Sequence, residues 1–183
     1  MNARHSDTQR RQLVREPKSM SEENKIVVRR FFEEVINARR VDRADEFVTA
    51  DYVEHQQLPG AEGRQGIEVA KAFLSMMRGA FPDYRFDVED LVAEGDKVVA
   101  RVAVTGTHHG EMMGLAPTGR RVQTSGIEVF RLAGGTLAEH WATFDAMGML
   151  RQIGMVPVPG PGLLVRTLVH QAKKRLPVSH AQR

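Results

Sequence analysis

The chain has 183 residues, 42% of them hydrophobic, and a formal net charge of +3. This length suffices for one globular domain with a core and is too short for two ordinary ones. The absence of cysteine excludes disulfide bonds and thiolate chemistry. Its apolar runs fall well short of the ~20 residues that cross a bilayer, and the Arg-rich start lacks the apolar stretch of a secretory signal. We therefore expect a cytoplasmic protein.

The basic charge is concentrated at the two ends of the chain. Residues 1–18 and 157–183 together carry ten of the 26 Lys/Arg and two of the 23 Asp/Glu, so residues 19–156 have a net charge of −5. An acidic body argues against a groove that binds nucleic acid. We predict a disordered basic tail over 1–18, one domain over 19–156, and a Pro/Gly linker with a basic tail over 157–183. We expect no membrane association of that last tail, although a basic amphipathic helix over 163–175 is the alternative.

Helical periodicity dominates the first half of the domain. A capping-box pattern at Ser19 and Glu22 predicts the start of a helix. A second short helix is predicted over about 42–49, and a third over 66–78, ended by glycine and proline. One face of the first helix is apolar, with Val28, Phe31, Phe32, Val35 and Ile36 at helical spacing.

Alternating apolar and polar residues dominate the second half. Long strands are predicted near 83–93, 97–107, 120–132 and 136–145, with hairpin turns between the first and last pairs. A brief extended segment over 51–55 precedes the third helix. Helices followed by a strand meander predict an α+β fold, in which a cone-shaped, curved antiparallel sheet encloses three N-terminal helices on one face. A parallel sheet, or helices on both faces, would contradict this prediction.

A carboxylate follows the last predicted strand. Trp141, Thr143 and Asp145 share one face of that strand because side chains two apart point the same way. A carboxyl group beside apolar surface loses hydration, which suits it to take and give a proton. Asp145 is therefore a candidate acid/base. The alternative is that Asp145 caps the helix that begins near Ala146, since Asp is a favoured N-cap.

The histidines offer further candidates. His55 ends the first extended segment, where it is placed to hydrogen-bond a substrate or Asp145. His108 and His109 are adjacent in an extended stretch and point to opposite faces, so with Glu111 they do not make one metal site. We expect no metal. His140 faces away from Asp145 in a regular strand, and satisfied structural histidines remain the alternative for all of them.

Other candidate ligand contacts are apolar or basic. Trp141 and the loop pair Met112 and Met113 are predicted to contact a ligand, while most other Met and Phe residues at helical spacing are expected to fill the core. Arg101 lies mid-strand and is either an outward charge or a buried group that orients a carboxylate or enolate. By parity Gln123 and Glu128 lie on opposite faces of their strand, and the sequence alone does not choose between the faces.

Five spaced motifs carry a family resemblance. They are Tyr52-x-Glu-His55, Ala80-Phe-Pro-Asp83, Gly106-Thr-His-His-Gly-Glu111, Gly114-x-x-Pro-Thr-Gly119, and Glu139-His-Trp-x-x-x-Asp145 ending in Gln152-Ile-Gly154. Together they resemble the SnoaL-like polyketide cyclases, or ester cyclases, which have the nuclear-transport-factor-like, ketosteroid-isomerase-like cone fold. The resemblance covers about residues 20–156 and leaves both tails unexplained.

The resemblance implies a reaction as well as a fold. It implies an intramolecular aldol ring closure on a hydrophobic polyketide ester, without metal or cofactor, with Asp145 as the acid/base by its place in the last motif. From the residues themselves, His55 is the candidate for a second catalytic residue. Tyr52, His108 and Arg101, with the apolar contacts above, are candidate substrate-binding residues.

Two other classes of function stay open. One is a different enzyme on the same cone: a dehydratase would use His55 with Asp145, whereas an epoxide hydrolase would need two carboxylates flanking an arginine, and beside Arg101 and Asp145 no second carboxylate has the right strand parity. The other is a domain that binds a ligand without turnover. In each case an exposed apolar sheet face predicts association into a homodimer or homotetramer.

Overall fold

Five strands form one open sheet in the computed structural model, which describes residues 20–156. The strand order is β1-β5-β4-β3-β2, with β1 and β2 at the edges. The predicted tails and Ser19 of the capping box lie outside the described residues. The strands are β1 Val48–Glu54, β2 Arg85–Glu94, β3 Lys97–Thr107, β4 Arg121–Ala133 and β5 Thr136–Phe144.

The four long strands confirm the predicted meander within two residues at each end. They pair antiparallel as β2-β3, β3-β4 and β4-β5. The prediction of a wholly antiparallel sheet is corrected at one edge, where β1 pairs parallel to β5. The predicted segment over 51–55 is the end of β1. The strand register shifts within three of the pairs, β1-β5, β2-β3 and β4-β5. Such irregularities bend strands, and a curved sheet requires bent strands.

The helices precede the long strands, as predicted. Helix α1 spans Met20–Phe31 and continues as a π-helical turn over Phe32–Asn37. The second predicted helix is a 3-10 helix, Val41–Glu46, because the chain enters β1 at Val48. Helix α2 spans Ile67–Ala80. A short helix after the sheet, α3, spans Ala146–Ile153 and ends at Gly154, whose φ of 89° suits a glycine.

The core lies between the helices and the concave face of the sheet. All five apolar residues predicted on the first helical face are buried, with at most 6% exposure. Aromatic rings join the layers: Phe31 and Phe32 of the first helical segment each meet Phe130 of β4 edge to face, and Phe32 also contacts Phe86 of β2. These contacts hold the helices inside the sheet and leave a cavity toward α2. Within residues 20–156, no helix is long and apolar enough to cross a membrane.

Candidate active site

Two chambers lie between the helices and the inner face of the sheet. The outer chamber has a volume of about 480 Å³ and the inner chamber about 50 Å³. Five residues line both chambers, and we call them the neck: Leu58, Phe73, Phe86, Ala142 and Phe144. The outer chamber is lined largely by apolar side chains, including Met76, Met77, Met112 and Met149. An apolar cavity with a narrow polar end suits a hydrophobic small molecule with one reactive group.

The inner chamber contains a polar cluster formed by Tyr52, Glu54, Glu128 and His140. His140 donates from Nδ1 to Glu54 Oε2 at 2.7 Å and from Nε2 to Glu128 Oε2 at 3.3 Å. The Tyr52 hydroxyl donates to Glu54 Oε2 at 3.2 Å, and the Gln56 amide donates to Glu54 Oε1 at 3.0 Å. Three strands therefore contribute to one buried hydrogen-bonded network.

The network holds a positive imidazolium between carboxylates. Burial alone would lower the pKa of His140, but the hydrogen bonds and charges of Glu128 and Glu54 outweigh it and raise that pKa to about 9. The imidazole also stacks on Phe130, with ring centroids 4.6 Å apart. Burial, together with the nearby Glu54, raises the pKa of Tyr52 well above its ordinary value, so its hydroxyl stays a donor. At neutral pH His140 is thus protonated.

Glu128 is the member of this cluster with an open position. Its side chain is 5% exposed, and Oε2 accepts from His140. Its Oε1 accepts no hydrogen bond from the described residues, whereas both oxygens of Glu54 are engaged. Across the sheet, Glu128 pairs with Ala142, whose small side chain belongs to the neck. The free oxygen of Glu128 is therefore the one that a ligand in the inner chamber can meet.

Asp145 lies at the outer chamber and caps α3. Its Oδ1 accepts the Gly148 amide at 2.8 Å, which is the capping alternative raised by the sequence. The side chain is exposed, so it lacks the desolvation on which the acid/base argument depended. Asp145 still lines the outer chamber together with Thr124 and Met149.

Trp141 and His55 lie on the outer face of the sheet. The inner face of β5 is taken by His140, Ala142 and Phe144, so Trp141 points the other way. His55 stacks on Trp141 with centroids 4.3 Å apart, and its Nε2 lies 2.8 Å from Glu139 Oε2. The structure thus groups these residues with each other rather than with Asp145. Neither Trp141 nor His55 lines the two chambers.

The remaining predicted contacts are scattered. Tyr52 joins the inner chamber and Met112, 3% exposed, joins the outer one. Met113 is exposed and, like His55, lines an open groove of about 960 Å³ that runs along β1 and the loop after it. His108 is wholly buried against Phe81, where burial lowers its pKa. Arg101 is an outward charge and not a buried group that orients a carboxylate or enolate, because its side chain pairs with Glu89 on the exposed side of the sheet.

Sequence reasoning missed the residues that the fold brings together most closely. Strand parity placed Glu128 and Gln123 on opposite faces of β4. Glu128 lies two residues from Gly126 and from Phe130, which are both buried, and this spacing is the signal that its carboxylate points inward. His140 likewise alternates with Ala138, which is buried. Glu54 likewise lies two residues after Tyr52, which is buried in the same strand. Among residues 20–156, no three His, Asp or Glu side chains are arranged to hold a metal ion.

The SnoaL-like polyketide cyclase family model matches residues 26–153, which include every residue of both chambers. The chain belongs to the SnoaL-like polyketide cyclases. Aklanonic acid methyl ester cyclase DnrD of Streptomyces peucetius is 30% identical over 137 residues, covering 74% of this chain and 92% of that protein. Nogalonic acid methyl ester cyclase of Streptomyces nogalater is 29% identical over 123 residues, covering 64% and 88%.

The fold agrees with solved structures. TsrD of Streptomyces laurentii superposes with a TM-score of 0.65 at 28% identity, covering 74% of this chain and 97% of that one. These relatives identify this SnoaL-like chain as an enzyme of the cyclase type, with a small-molecule substrate.

Proposed function

We propose that this SnoaL-like protein closes a ring in a polyketide ester by an intramolecular aldol reaction, with Glu128 as the acid/base. The observation that carries the proposal is the free Glu128 oxygen at the floor of an apolar cavity, held by a protonated His140. The curated relatives are named for methyl ester cyclisation, which supports the substrate class.

The reaction needs one proton to be removed and returned. Glu128 Oε1 takes the proton from a carbon between two carbonyl groups, and the C–H electron pair becomes the enolate. The enolate carbon then bonds to a ketone carbon in the same molecule, and the C=O pair moves to oxygen. The resulting alkoxide takes the proton back from the Glu128 carboxyl. One C–C bond forms, one C–H becomes O–H, and the protein's own side chain carries the proton without metal or cofactor.

His140 and Glu54 position this carboxylate. The His140 imidazolium donates to Glu128 and holds it in one orientation, while its positive charge stabilises negative charge that develops in the chamber. Glu54, whose side chain is fully buried, fixes the His140 ring from the other side. The Tyr52 hydroxyl in turn orients Glu54. Each member thus has its hydrogen bonds before substrate arrives, which lowers the reorganisation that the reaction requires.

Asp145 is the second candidate for the acid/base because it lines the outer chamber. Each carboxylate has one oxygen engaged, by the Gly148 amide in Asp145 and by His140 in Glu128. Burial favours Glu128, because Asp145 is exposed whereas the free oxygen of Glu128 lies in a site from which water is largely excluded. A proton acceptor in such a site acts on its substrate with less competition from solvent.

The test uses two paired variants and two assays. Purified protein is mixed with aklanonic acid methyl ester and with nogalonic acid methyl ester, and ring closure is followed by chromatography and mass spectrometry. A second assay follows exchange of the acidic C–H of a naphthyl β-keto methyl ester in heavy water by NMR, above the uncatalysed rate. Glu128→Gln should lower both rates by about 10²–10⁴, the usual contribution of an acid/base group.

Asp145→Asn is the matched comparison, since Asn keeps the size and the capping ability of Asp. If Asp145→Asn lowers both rates strongly and Glu128→Gln leaves them unchanged, the acid/base is Asp145 and not Glu128. If wild-type protein binds these esters but neither closes the ring nor exchanges the proton, the cavity is a binding site without turnover. Circular dichroism of each variant separates loss of chemistry from loss of fold.

A further inference from the structure

His108 is a buried imidazole that lines neither chamber and is not part of the polar cluster. It is the first residue of the connection between β3 and β4, residues 108–120, which we call the chamber loop. Its side chain is wholly buried and packs on Phe81, with ring centroids 5.4 Å apart. Because no ligand space borders this ring, its burial has to be understood through the loop that it begins.

The chamber loop forms part of the wall of the outer chamber. Met112 lines that chamber and is 3% exposed. The backbone of Met112 pairs with that of Leu115 through two hydrogen bonds, so the loop tip is a tight turn. Near its start, the His109 and Gly110 amides both donate to the Ala80 carbonyl at the end of α2, each at 3.0 Å. A movement of this loop therefore changes the wall of the chamber.

The His108 ring joins the two ends of the loop. Its Nδ1 accepts a hydrogen bond from the Thr118 backbone N–H at 3.3 Å and one from the Thr118 hydroxyl at 3.1 Å. A backbone N–H can only donate, so Nδ1 carries no hydrogen and the hydrogen of the neutral ring is on Nε2. The neutral form of His108 thus holds the far end of the loop by acting as an acceptor.

The imidazolium form does not fit this site. A proton on Nδ1 would face the Thr118 N–H, so two donors would meet; the hydroxyl can rotate to accept, but the amide cannot. The Nε2 atom is buried and has no hydrogen-bond partner among residues 20–156. A positive charge on the ring would therefore be buried without an acceptor at either nitrogen that keeps the Thr118 amide in place, which is costly.

The charged groups around the ring do not offset this cost. Burial, and then the charge of the neighbouring His109, lower the pKa of His108. In the turn after α2, both carboxylate oxygens of Asp83 accept hydrogen bonds from Thr107. At the start of β4, the Arg120 guanidinium donates to a backbone carbonyl of α3. Within the described part of the chain, no carboxylate hydrogen-bonds the His108 ring.

We propose that His108 is an acid-sensitive switch for the outer chamber: the neutral ring keeps the chamber loop closed, and protonation of the ring releases it. The released ring binds a proton more readily than the closed one. The contribution of His108 to closure is therefore complete above its ordinary pKa of 6.5 and is lost as the pH falls below that value. The switch acts on the chamber wall, so it operates whichever carboxylate is the acid/base.

The size of the effect has an upper limit. If the closed ring stays neutral and the released ring has a pKa of 6.5, the equilibrium constant for opening is up to about 25-fold larger at pH 5 than at pH 7. Such a change is local, because it concerns one loop rather than the whole sheet.

The first test measures amide hydrogen exchange by mass spectrometry at pH 5, 6 and 7. Each rate is divided by that of an unstructured peptide of the same sequence, which removes the pH dependence of the exchange chemistry. The Met112, Leu115 and Gly119 amides are hydrogen-bonded within the loop. Their protection should fall between pH 7 and pH 5 by a factor that approaches about 25, while the amides of β3 keep theirs.

Two variants locate the effect in one ring. His108→Asn keeps an acceptor close to the position of Nδ1 but cannot take up a proton, so the protection of its loop should be the same at all three pH values. His109→Asn, at the exposed neighbouring position, is the matched control and should retain the fall seen in wild-type protein.

The second test uses wild-type protein alone, so it decides the matter even if His108→Asn does not fold. Nitrogen NMR of labelled histidine should show the Nε2–H tautomer of His108 at pH 7, and the ring should titrate with the same midpoint as loop opening. Carbon NMR of labelled methionine should show the Met112 methyl signal, assigned with Met112→Leu, moving towards that of an exposed methionine over the same pH range.

Several results would overturn the switch. Loop protection could change by less than about twofold between pH 7 and pH 5, or fall equally in His108→Asn. The β3 amides could lose protection in step with the loop, which would mean global unfolding. His108 could carry its hydrogen on Nδ1, or the Met112 methyl group could stay buried while the loop opens. None of these results depends on the rate of ring closure or on Glu128.

Discussion

Raising the pH should remove a defined part of the folding free energy through His140. This side chain has a folded pKa of about 9, above its ordinary value of 6.5, because Glu128 and Glu54 stabilise the imidazolium. A group with a raised folded pKa contributes stability that is fully present below its unfolded pKa and is lost as the pH rises through its folded pKa. The contribution of His140 should therefore be complete below about pH 6.5 and disappear by about pH 9 to 10.

The expected size follows from the two pKa values. At about 1.4 kcal/mol for each pKa unit, the difference corresponds to about 3 kcal/mol. Only 12% of the His140 side chain is exposed, so solvent screens little of this. Because domains of this size are stable by about 5–15 kcal/mol, a change of about 3 kcal/mol is readily measured by urea unfolding between pH 6 and 10.

The control is a second histidine variant. His140→Gln should lose the pH dependence between about pH 6.5 and 9.5, whereas His109→Gln, at an exposed position, should keep it. In wild-type protein the NMR signal of the His140 imidazole should titrate near pH 9. This measurement tests the raised pKa of His140 without unfolding the protein. Parallel stability curves for wild type and His140→Gln across this range would refute the argument, because the imidazolium would then not be held by its carboxylate partners.

Three further predictions concern stability and assembly. Asp145→Ala should cost about 1 kcal/mol through loss of the α3 cap, with Asp145→Asn nearly neutral, as measured by thermal unfolding. Gly126→Ala should destabilise by about 1–3 kcal/mol, because its methyl group overlaps the Phe144 ring; a fully stable variant would show that the ring moves freely. The outer sheet face exposes Val53 and Ile127, and light scattering at micromolar concentration should give a dimer or tetramer mass; a monomer mass would contradict this.

Local pattern determined most of the elements. The alternation from residue 85 onward predicted four strands and their hairpins because neighbouring strands in a meander pair through short turns that the sequence itself encodes. The apolar spacing around Val28 and Phe32 predicted the buried helical face. The motifs also indicated the family, which the match over residues 26–153 confirms.

The active site depended on pairing that no local pattern encodes. The sequence predicted that Trp141 and Asp145 share one face of the last strand. In the structure, Trp141 lies on the outer face of β5, and Asp145 caps α3 at the outer chamber. Glu54 and His140 are 86 positions apart and meet only because β1 joins β5 in parallel at the sheet edge. Glu128 reaches the same imidazole from β4 on the other side. Strand parity limits each side chain to one of two faces, but only the tertiary arrangement of the strands decides which face is buried and which charged groups share it.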